Sequence, residues 1–543
     1  MSATIVPRSL PVVLRAALLV VLLATPFPRP AAAQGHVHPA PGGGDGLGTV
    51  HFATSCAPAV APRFDRAVAL LHSFEFGAAI RAFDAVLAAD SACAMAHWGI
   101  ALSRWTNPMS AGVRAPALLA EGRRAAQAAG RLAAGATERE RGYAAAVATL
   151  YDSFERVDQR TRVLAYERAM ADLVARQPAD TEAKVFHAIA LVAAAPPTDK
   201  SYTLQRRAGA ILESLWAAQP DHPGLAHYII HSYDVPALAP LAAAAARRYA
   251  EIAPAAAHAL HMPSHTFTRV GLWKASVDAN RRSMAAAARD SSPAEVLHAA
   301  DYMAYAYLQM RQDAAARSVL DSLPALAARF DVNAVTGAAP GSAGVFALAA
   351  IPARYVLERR AWAAAAALAP AASAFPYTEA MTYFARALGS ARLGRAAAAR
   401  ADVDSLAALH ARLVARGEAY WAEQVAIQRL GAQAWVALAE GRRDDALAHM
   451  REAAAREDAT EKNAITPGPL LPARELLGDM LLELGRPADA LAEYRRTLAK
   501  EPKRFRALDG AARAAAAAGD SAAARSYASE RAALTGAGTP ERR

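Results

Sequence analysis

Hydrophobic residues recur with helical spacing along almost the whole chain after residue 60. The segment FDRAVALLHSFEFGAAIRAFDAVLAAD (64–90) contains two amphipathic stretches, each of about 12 residues, separated by a short break. Apolar residues at three- and four-residue intervals lie on one face of an α-helix. The pattern therefore predicts an all-α fold made of helix–turn–helix pairs.

The helix pair recurs at a fixed period near the C-terminus. Gly485 and Gly519, at two successive turns, lie 34 residues apart, and so do Ala490 and Ala524, early in the second helix of each pair. This 34-residue period, with Gly and Ala at these places, resembles the tetratricopeptide repeat family. The resemblance extends along most of the chain and implies a helical solenoid, in which the first helix of each pair lines a concave surface.

Interruptions of the pattern predict the domain organisation. The segment DVNAVTGAAPGSAG (331–344) breaks the periodicity, and QGHVHPAPGGGDGLGTV (34–50) is rich in Gly and Pro, as linkers are. The predicted segments are a signal peptide (1–33), a linker (34–60), an N-terminal repeat array with a histidine-rich concave site (61–330), an irregular connection (331–375) and a C-terminal repeat array (376–543).

The N-terminal segment is typical of a secretory signal peptide. Arg8 and Arg15 stand before the run AALLVVLLATPF, which is too short to span a bilayer, and Ala31 and Ala33 form a small-residue cleavage site. We therefore expect export to the periplasm or the extracellular space, with a mature chain that begins at Gln34. No other uncharged apolar run reaches about 18 residues, so we expect no membrane insertion after cleavage.

A mature chain that begins at Gln34 would carry His36 as its third residue. The free amine, two amide nitrogens and this imidazole form a square-planar ligand set that suits Cu(II) or Ni(II). Cyclisation of Gln34 would consume the amine and abolish the site, and an inert linker is the alternative interpretation.

The chain has two cysteines, Cys56 and Cys93, separated by about one repeat. An even cysteine count in an exported protein indicates a disulfide. The separation places the two residues at the starts of neighbouring helices, which favours this pairing. Two buried free thiols are the alternative.

The charges and motifs exclude several classes of function. The net charge is +10, but basic residues are interspersed with acidic ones and form no block with aromatic residues, so we expect no nucleic-acid partner. The sequence has no P-loop, nucleotide-binding glycine motif, nucleophile elbow, H-E-x-x-H or C-x-x-C. The common enzyme classes that carry these motifs therefore lack support.

The histidines are concentrated in one part of the chain. Eight of the 15 lie between residues 187 and 298. His227 and His261 are 34 residues apart, as are His231 and His265, so both i,i+4 pairs occupy equivalent positions on the first helices of adjacent repeats. Such pairs share a helix face and neighbouring helices pack about 8–10 Å apart, so we expect the four to converge on one metal ion.

Two further histidines extend this candidate site. Relative to the turn at Gly271, His258 and His298 take position 2 of successive repeats, and we expect them at the edge of the site. Under the tetratricopeptide resemblance, positions 2, 5 and 9 face the ligand. The same numbering places Asp301 and Tyr305 at positions 5 and 9, where they can orient the histidine rings or line the groove.

The outer part of the site is predicted with alternatives. His187 takes position 5 of an earlier repeat. Glu461 joins the groove if the loop EDATEKNAITPGPLLP (457–472) folds over it, and is otherwise a solvated surface residue. Met262 is either a soft metal ligand or a core residue, and Pro263 either begins a helix or kinks one.

Four short segments together resemble a group of exported bacterial tetratricopeptide proteins. They are TSC (54–56), HYIIHSYD (227–234), HALHMPSHTF (258–267) and EDATEK with TPGP (457–469). This resemblance implies the fold and the cellular compartment but supplies no catalytic residue.

Three functions fit the sequence. The first is an exported scaffold whose histidine-rich groove binds a transition metal, a protein or peptide, or both; imidazole ligands suit Zn or Cu. The second is a metal-dependent enzyme, hydrolytic or oxidative, with open coordination positions in the groove. The third is an adaptor between proteins that binds no metal.

Overall fold

The computed structural model describes residues 45–109 and 114–536, and all regular elements in these ranges are helices. The predicted signal peptide and the Gln34–His36 copper site lie outside the described residues. The α-helices are α1 (Ala61–His72), α2 (Phe76–Ala89), α3 (Ala94–Trp105), α4 (Pro116–Ala133), α5 (Glu138–Thr149), α6 (Gln159–Arg176), α7 (Thr181–Ala194), α8 (Thr203–Trp216), α9 (Pro223–Ser232), α10 (Ala243–Ile252), α11 (Ala257–His261), α12 (Pro263–Arg269), α13 (Trp273–Arg289), α14 (Pro293–Gln309), α15 (Asp313–Ala327), α16 (Gly341–Glu358), α17 (Trp362–Ala366), α18 (Pro376–Arg392), α19 (Ala396–Ala415), α20 (Ala419–Ala439), α21 (Arg443–Asp458), α22 (Ala473–Glu483), α23 (Pro487–Lys500), α24 (Phe505–Ala517) and α25 (Ser521–Leu534).

The helices form a solenoid of stacked hairpins, which confirms the predicted fold class. Each helix packs against its neighbour in sequence, and the first helix of one hairpin also packs against the first helix of the next, as in α1–α3, α3–α5, α7–α9, α18–α20 and α22–α24. The turns after α22 and α24 need a left-handed backbone, which Gly485 (φ 72°) and Gly519 (φ 81°) supply without a steric penalty. Stacking of this kind buries one continuous apolar face along the array.

Residues 45–60, which the sequence analysis assigned to a linker, pack against the helices. Leu47, Val50 and Phe52 are buried in the first hydrophobic core, and the Phe52 ring lies 5.2 Å, centroid to centroid, from the ring of Tyr143. The Phe52 N–H donates to the carboxylate of Asp65 on α1. The three apolar residues give no periodic pattern within the Gly-rich segment, so the sequence did not indicate their burial. Their burial holds the segment against the helices.

The irregular connection predicted for residues 331–375 is interrupted by α16 and α17. The glycines that suggested a loop allow close packing instead, since a Cβ atom at Gly341 would lie 1.8 Å from the carbonyl oxygen of Val332. Helix α16 packs against both α14 and α18. The helices on either side of the predicted boundary therefore stack without a break.

A disulfide joins Cys56 and Cys93, with an S–S distance of 2.06 Å and a Cα–Cα distance of 4.8 Å. It ties the segment before α1 to the start of α3. Within the described ranges, no helix is both long and apolar enough to cross a membrane.

Candidate metal centre

Three adjacent first helices carry the histidines of the candidate site. His227 and His231 lie one turn apart on α9, and His298 lies on α14. Pro263 divides the intervening helix into α11, which contains His258 and His261, and α12, which contains His265. The division is a kink, because the residue at the junction, Met262, keeps helical dihedral angles (φ −53°, ψ −35°) and is part of the hydrophobic core.

The six histidines form two groups of three rather than one group of four with two at its edge. Triad A consists of His227, His231 and His258, and triad B consists of His261, His265 and His298; in each, the three potential ligand atoms lie within 4.8 Å of one another. Each i,i+4 pair is completed by the position-2 histidine of the next repeat. The start of each first helix lies beside the pair on the preceding one, which the repeat numbering alone does not reveal.

The two triads are neighbours. The ring centroids of His231 and His265 are 6.0 Å apart, and those of His258 and His261 are 5.8 Å apart. The triads are also buried, whereas the sequence predicted an open concave groove: His231 is the most exposed of the six, at 6%. The result is a continuous buried layer of imidazoles.

Hydrogen bonds orient the rings of triad A. His227 donates from Nδ1 to the backbone carbonyl of His72 (2.6 Å), and His258 donates from Nδ1 to Oε1 of Glu295 (3.2 Å). The Nε2 atoms of His227, His231 and His258 are buried and have no hydrogen-bond partner within residues 45–109 and 114–536. For His227 and His258, the Nδ1–H bond leaves Nε2 with a free lone pair, which is the state that binds a metal ion.

Triad B is oriented by side-chain acceptors. His261 donates from Nδ1 to Oδ1 of Asn280 (2.6 Å), and His265 donates from Nδ1 to Oδ2 of Asp234 (2.9 Å). Asn280 is held in the matching orientation because its Nδ2 atom donates to the carbonyl of Ser276. His298 completes the triad, and its Nδ1 atom is buried without a hydrogen-bond partner in the part of the chain that the structure describes.

The two Nε2 atoms of His261 and His265 face each other at 3.0 Å. Because both rings carry their proton on Nδ1, two lone pairs meet, which is repulsive unless a cation lies between or beside them. Protonation of a ring is disfavoured: burial lowers the pKa of His265 to about 4 and holds the pKa of His261 well below its usual range. A metal ion satisfies both nitrogens.

Burial also favours the neutral form of His227, His231 and His298. It lowers the pKa of His298 to about 3, and it places the pKa values of His227 and His231 well below the usual range. The neighbouring histidines lower these pKa values further, because each protonated ring would repel the next. Neutral imidazole is the form that coordinates metal ions.

A charged network that the sequence reasoning missed supports triad B. Burial alone would raise the pKa of Asp234, but Lys462 and Arg269 hold it well below the usual range, so the group that accepts the bond from His265 is a carboxylate. Lys462 Nζ and Arg269 Nε each lie 2.9 Å from Asp234 oxygens. Asp234 ends the HYIIHSYD segment, so its position three residues after His231 was the available signal.

Tyr302 takes the place that was predicted for Asp301. Its ring lies within 5.4 Å, centroid to centroid, of all three rings of triad B. Asp301 instead forms a buried ion pair with Arg354 Nε (3.1 Å). Because successive residues of a helix are rotated by about 100°, Tyr302 faces triad B beside His298, whereas Asp301 faces Arg354.

Tyr305 and His187 also lie outside the two triads. Tyr305 is seven residues beyond His298, about 10 Å along the helix axis, and its hydroxyl donates to Glu501 (3.1 Å). His187 bonds through Nε2 to Glu167 on the neighbouring helix α6 (3.1 Å). The positions within the repeat therefore predicted which helix face carries the site, but not how far the site extends along each helix.

The loop at 459–472 folds over triad B, although Glu461 does not reach it. Glu461 accepts hydrogen bonds from Lys200 Nζ (2.6 Å) and the Tyr202 hydroxyl (2.7 Å). The next residue, Lys462, is the one that contacts Asp234. Glu461 thus anchors the loop, while Lys462 connects it to Asp234 beside triad B.

A third buried cluster supports triad A. Glu182 accepts hydrogen bonds from Nε2 of both His72 and His222, each at 2.9 Å. His72 Nδ1 in turn lies 3.2 Å from the Tyr228 hydroxyl. Since the backbone carbonyl of His72 accepts the bond from His227, this network positions the end of α1 against triad A. Both histidines were outside the predicted ligand set.

A cleft of about 880 Å³ reaches the centre from one side. Its lining includes His231, Asp234 and Lys462, and its walls include Phe154, Tyr420 and other apolar side chains. A small molecule in this cleft can therefore approach triad A, while triad B is covered by the loop.

Comparisons with known proteins show little similarity. No protein-family model matches the sequence, and no curated protein sequence is similar to it. Solved structures with a related arrangement include the human IFIT1 dimer with m7Gppp-AAAA, at 11% identity over 81% of this chain and 90% of that chain, with a TM-score of 0.37. Another is the APC/C hetero-tetramer Cut9-Hcn1, at 12% identity over 88% of this chain and 95% of that chain, with a TM-score of 0.31.

Proposed function

We propose that this helical-repeat protein binds two transition-metal ions, one in triad A and one in triad B. The observation that carries this proposal is the approach of the bare Nε2 atoms of His261 and His265 to 3.0 Å in a buried site. The three unpartnered Nε2 atoms of triad A support it. Each triad offers three imidazoles, which leaves a coordination position open for a further ligand.

Copper fits the two triads better than the other common metals. Imidazole ligands suit Cu, Zn, Fe and Ni, and the affinity of divalent ions for nitrogen sites is highest for copper. The six ligands are neutral, so two divalent ions would bring four positive charges into a buried region, whereas two Cu(I) ions would bring two. Zinc is the alternative, since a three-histidine zinc site with one open position is also well formed chemically.

Metal analysis tests the proposal. Every sample carries His36→Ala, which removes the copper site predicted at the mature N-terminus. The chain is stripped with a chelator, reloaded with Cu(I) or Zn(II), desalted and analysed by mass spectrometry for metal content. We expect two ions per chain, one in the double variant His261→Ala, His265→Ala, and one in His227→Ala, His258→Ala.

The matched control is His187→Ala, which removes a buried histidine outside both triads and should leave two ions bound. Circular dichroism must show unchanged helix content in all variants. Equal metal content in the parent and both double variants, or no metal in the parent, would refute the proposal and favour a peptide-binding groove or an adaptor.

A metal-dependent enzyme is the second candidate function, and the position of His231 in the cleft wall favours it. An open coordination position beside a cleft can activate a bound molecule. Azide added to the Cu(II)-loaded protein should produce a new charge-transfer absorption band. An unchanged spectrum would show that the metal sites are closed and would leave storage or delivery of metal as the function.

Export and a protein partner are also part of the proposal. The Cys56–Cys93 disulfide supports an oxidising compartment, where such bonds persist. Cell fractionation of the source organism with an antibody against the chain tests this, and a cytoplasmic location would contradict it. A pull-down from the same fraction tests for a protein partner.

A further inference from the structure

Three arginines that line the cleft beside triad A form no ion pair with a carboxylate of the described residues. Arg114, Arg160 and Arg162 all contribute to its lining. Arg114 donates to the carbonyls of Trp105 and Asn107, and Arg160 donates to the carbonyls of Ala193 and Ala194. Arginines in proteins are most often paired with carboxylates when buried, so carbonyl partners alone are unusual for Arg114, which is buried.

Arg162 shares this property. It donates to the carbonyls of Leu150 and Val157, and it lies with Arg114 around the ring of Trp105, at 5.4 Å and 4.0 Å from the ring centroid. Arg114 is 9% exposed and Arg162 is 3% exposed. Among the described residues, none of the three guanidinium groups lies within 4.0 Å of a carboxylate oxygen. Arg114 and Arg162 thus place two like charges around one indole; Asp158 and Glu155 favour the charge of Arg162 without pairing with it.

The acids of the cleft are engaged elsewhere. Glu155 pairs with Arg123, Asp158 caps α6 through Thr161, and Glu461 pairs with Lys200. The carboxylate of Asp234 is occupied by Lys462, Arg269 and His265. The remaining acid, Glu418, has a pKa that burial raises and Arg416 lowers in part.

Desolvation by the surrounding protein opposes the charged state of all three arginines, including Arg160, which is otherwise largely exposed. Burial lowers the pKa of Arg114 to about 9, and it lowers the pKa of Arg160 and of Arg162. An anion placed among these groups would offset that cost. The planar guanidinium group matches the geometry of a carboxylate, with which it forms paired, charge-assisted hydrogen bonds.

We propose that the cleft binds a small organic acid, with its carboxylate among Arg114, Arg160 and Arg162 and its apolar body along the aromatic wall toward His231. The largely apolar walls, including Phe154, Tyr420 and Trp421, favour an organic anion over inorganic phosphate. The proximity to triad A rests on the proposed function, whereas the anion site itself needs no metal.

The probe is 4-fluorobenzoate, whose binding is followed by fluorine NMR in the chelator-treated protein. We expect the neutral analogue 4-fluorobenzamide to bind at least about tenfold more weakly, since it lacks the charge that the arginines recognise. Inorganic phosphate should compete only weakly. Benzoate and benzamide binding with equal affinity, phosphate binding more tightly than benzoate, or no benzoate binding would overturn the inference.

Substitution of the arginines tests whether the acid binds at this site. Arg160→Gln and the double variant Arg160→Gln, Arg162→Lys should weaken benzoate binding by about tenfold or more. The matched control Arg168→Gln changes an exposed arginine on the same helix, outside the cleft, and should leave binding unchanged. Arg160 is largely exposed, so its variant should fold as the parent does, which the thermal midpoint checks. Equal affinities in all variants would overturn the site.

A second arm uses protein loaded with Cu(II). The fluorine signal of bound 4-fluorobenzoate should broaden strongly relative to the Zn(II)-loaded protein, because the probe lies beside triad A. Binding without broadening, in a protein shown to hold copper, would place the acid away from the metal and overturn that part of the inference. Metal content is measured separately, so a failure of metal loading is distinguishable from a failure of anion binding.

Discussion

Triad A and triad B take their histidines from equivalent places: an i,i+4 pair on one first helix and the position-2 histidine of the next. Their surroundings differ. Triad A reaches the cleft through His231 and is oriented by a backbone carbonyl and Glu295. Triad B lies under the loop at 459–472 and is oriented by Asn280 and by Asp234, to which that loop adds Lys462.

The difference shows which features a repeat duplicates and which it does not. The period duplicates the ligand positions because the same turns of successive first helices face the same side. Access and electrostatics depend instead on segments inserted from outside the repeat. The loop that covers triad B joins it through Lys462 to Asp234 and through the Thr466 carbonyl to the Tyr302 hydroxyl (3.1 Å). We therefore expect triad A to exchange ligands and metal, and triad B to hold its ion.

Removal of one orienting carboxylate should produce the largest difference in metal affinity between the two triads. Asp234→Asn should weaken metal binding at triad B by about 10–100-fold, because the ring of His265 loses its charged acceptor. Glu295→Gln should do the same at triad A through His258. Competition with a chromophoric chelator measures both affinities in each variant.

The control for this pair is Asp221→Asn, an acid that bonds to Arg248 on the surface. It should leave both affinities unchanged. A loss of both ions in either carboxylate variant would mean that the two triads act as one site, which would break the comparison.

Loosening the loop over triad B should reduce the difference between the rates at which the two triads lose metal. Lys462→Ala removes the contact between the loop and Asp234, so we expect triad B to lose its metal to a chelator several-fold faster, approaching the rate of triad A. Stopped-flow chelation should show two phases in the parent and a smaller separation in the variant. Lys274→Ala, on an exposed surface pair, is the control. Unchanged phases would show that the loop does not control access.

Acid should destabilise the metal-free protein through both triads. The unfolded histidines bind protons below about pH 6.5, whereas the folded ones stay neutral down to about pH 4 for His265 and about pH 3 for His298. Because the unfolded state binds more protons, the free energy of unfolding falls as the pH falls through this window. Thermal midpoints between pH 7 and pH 4 should therefore decrease more steeply in the parent than in His261→Ala, His265→Ala.

Equal slopes for the parent and that variant would contradict the assignment of neutral, buried rings in triad B. The corresponding variant of triad A, His227→Ala, His231→Ala, shows whether the two groups contribute alike.

Loss of the disulfide should have the smallest effect on the two triads. Cys56→Ser with Cys93→Ser removes a crosslink that closes a 37-residue loop, and the chain-entropy model gives a loss of stability of about 4 kcal/mol. Both triads lie on α9 to α14, so the metal content should remain two. Denaturant unfolding and metal analysis of the same samples check both statements, and a loss of triad A alone would show that the crosslink positions α1 and His72.

The sequence by itself determined the helical architecture and the histidine rows. Helix formation depends on local spacing, so the amphipathic pattern and the turn glycines were sufficient for the solenoid. The 34-residue equivalence of His227 with His261 and of His231 with His265 identified a cluster, since equivalent positions of stacked repeats point the same way. All six histidines that form the triads were among the candidates for this reason.

Only the tertiary structure decided how those histidines are grouped and what surrounds them. The level at which one helix meets the next depends on the offset between stacked hairpins, which no local pattern encodes, so His258 and His298 joined the preceding pairs. Tyr302 rather than Asp301 faces triad B because a rotation of about 100° per residue decides the flank. Lys462 reaches Asp234 across 228 residues of sequence, through a loop whose position is fixed by packing and ion pairs rather than by the repeat.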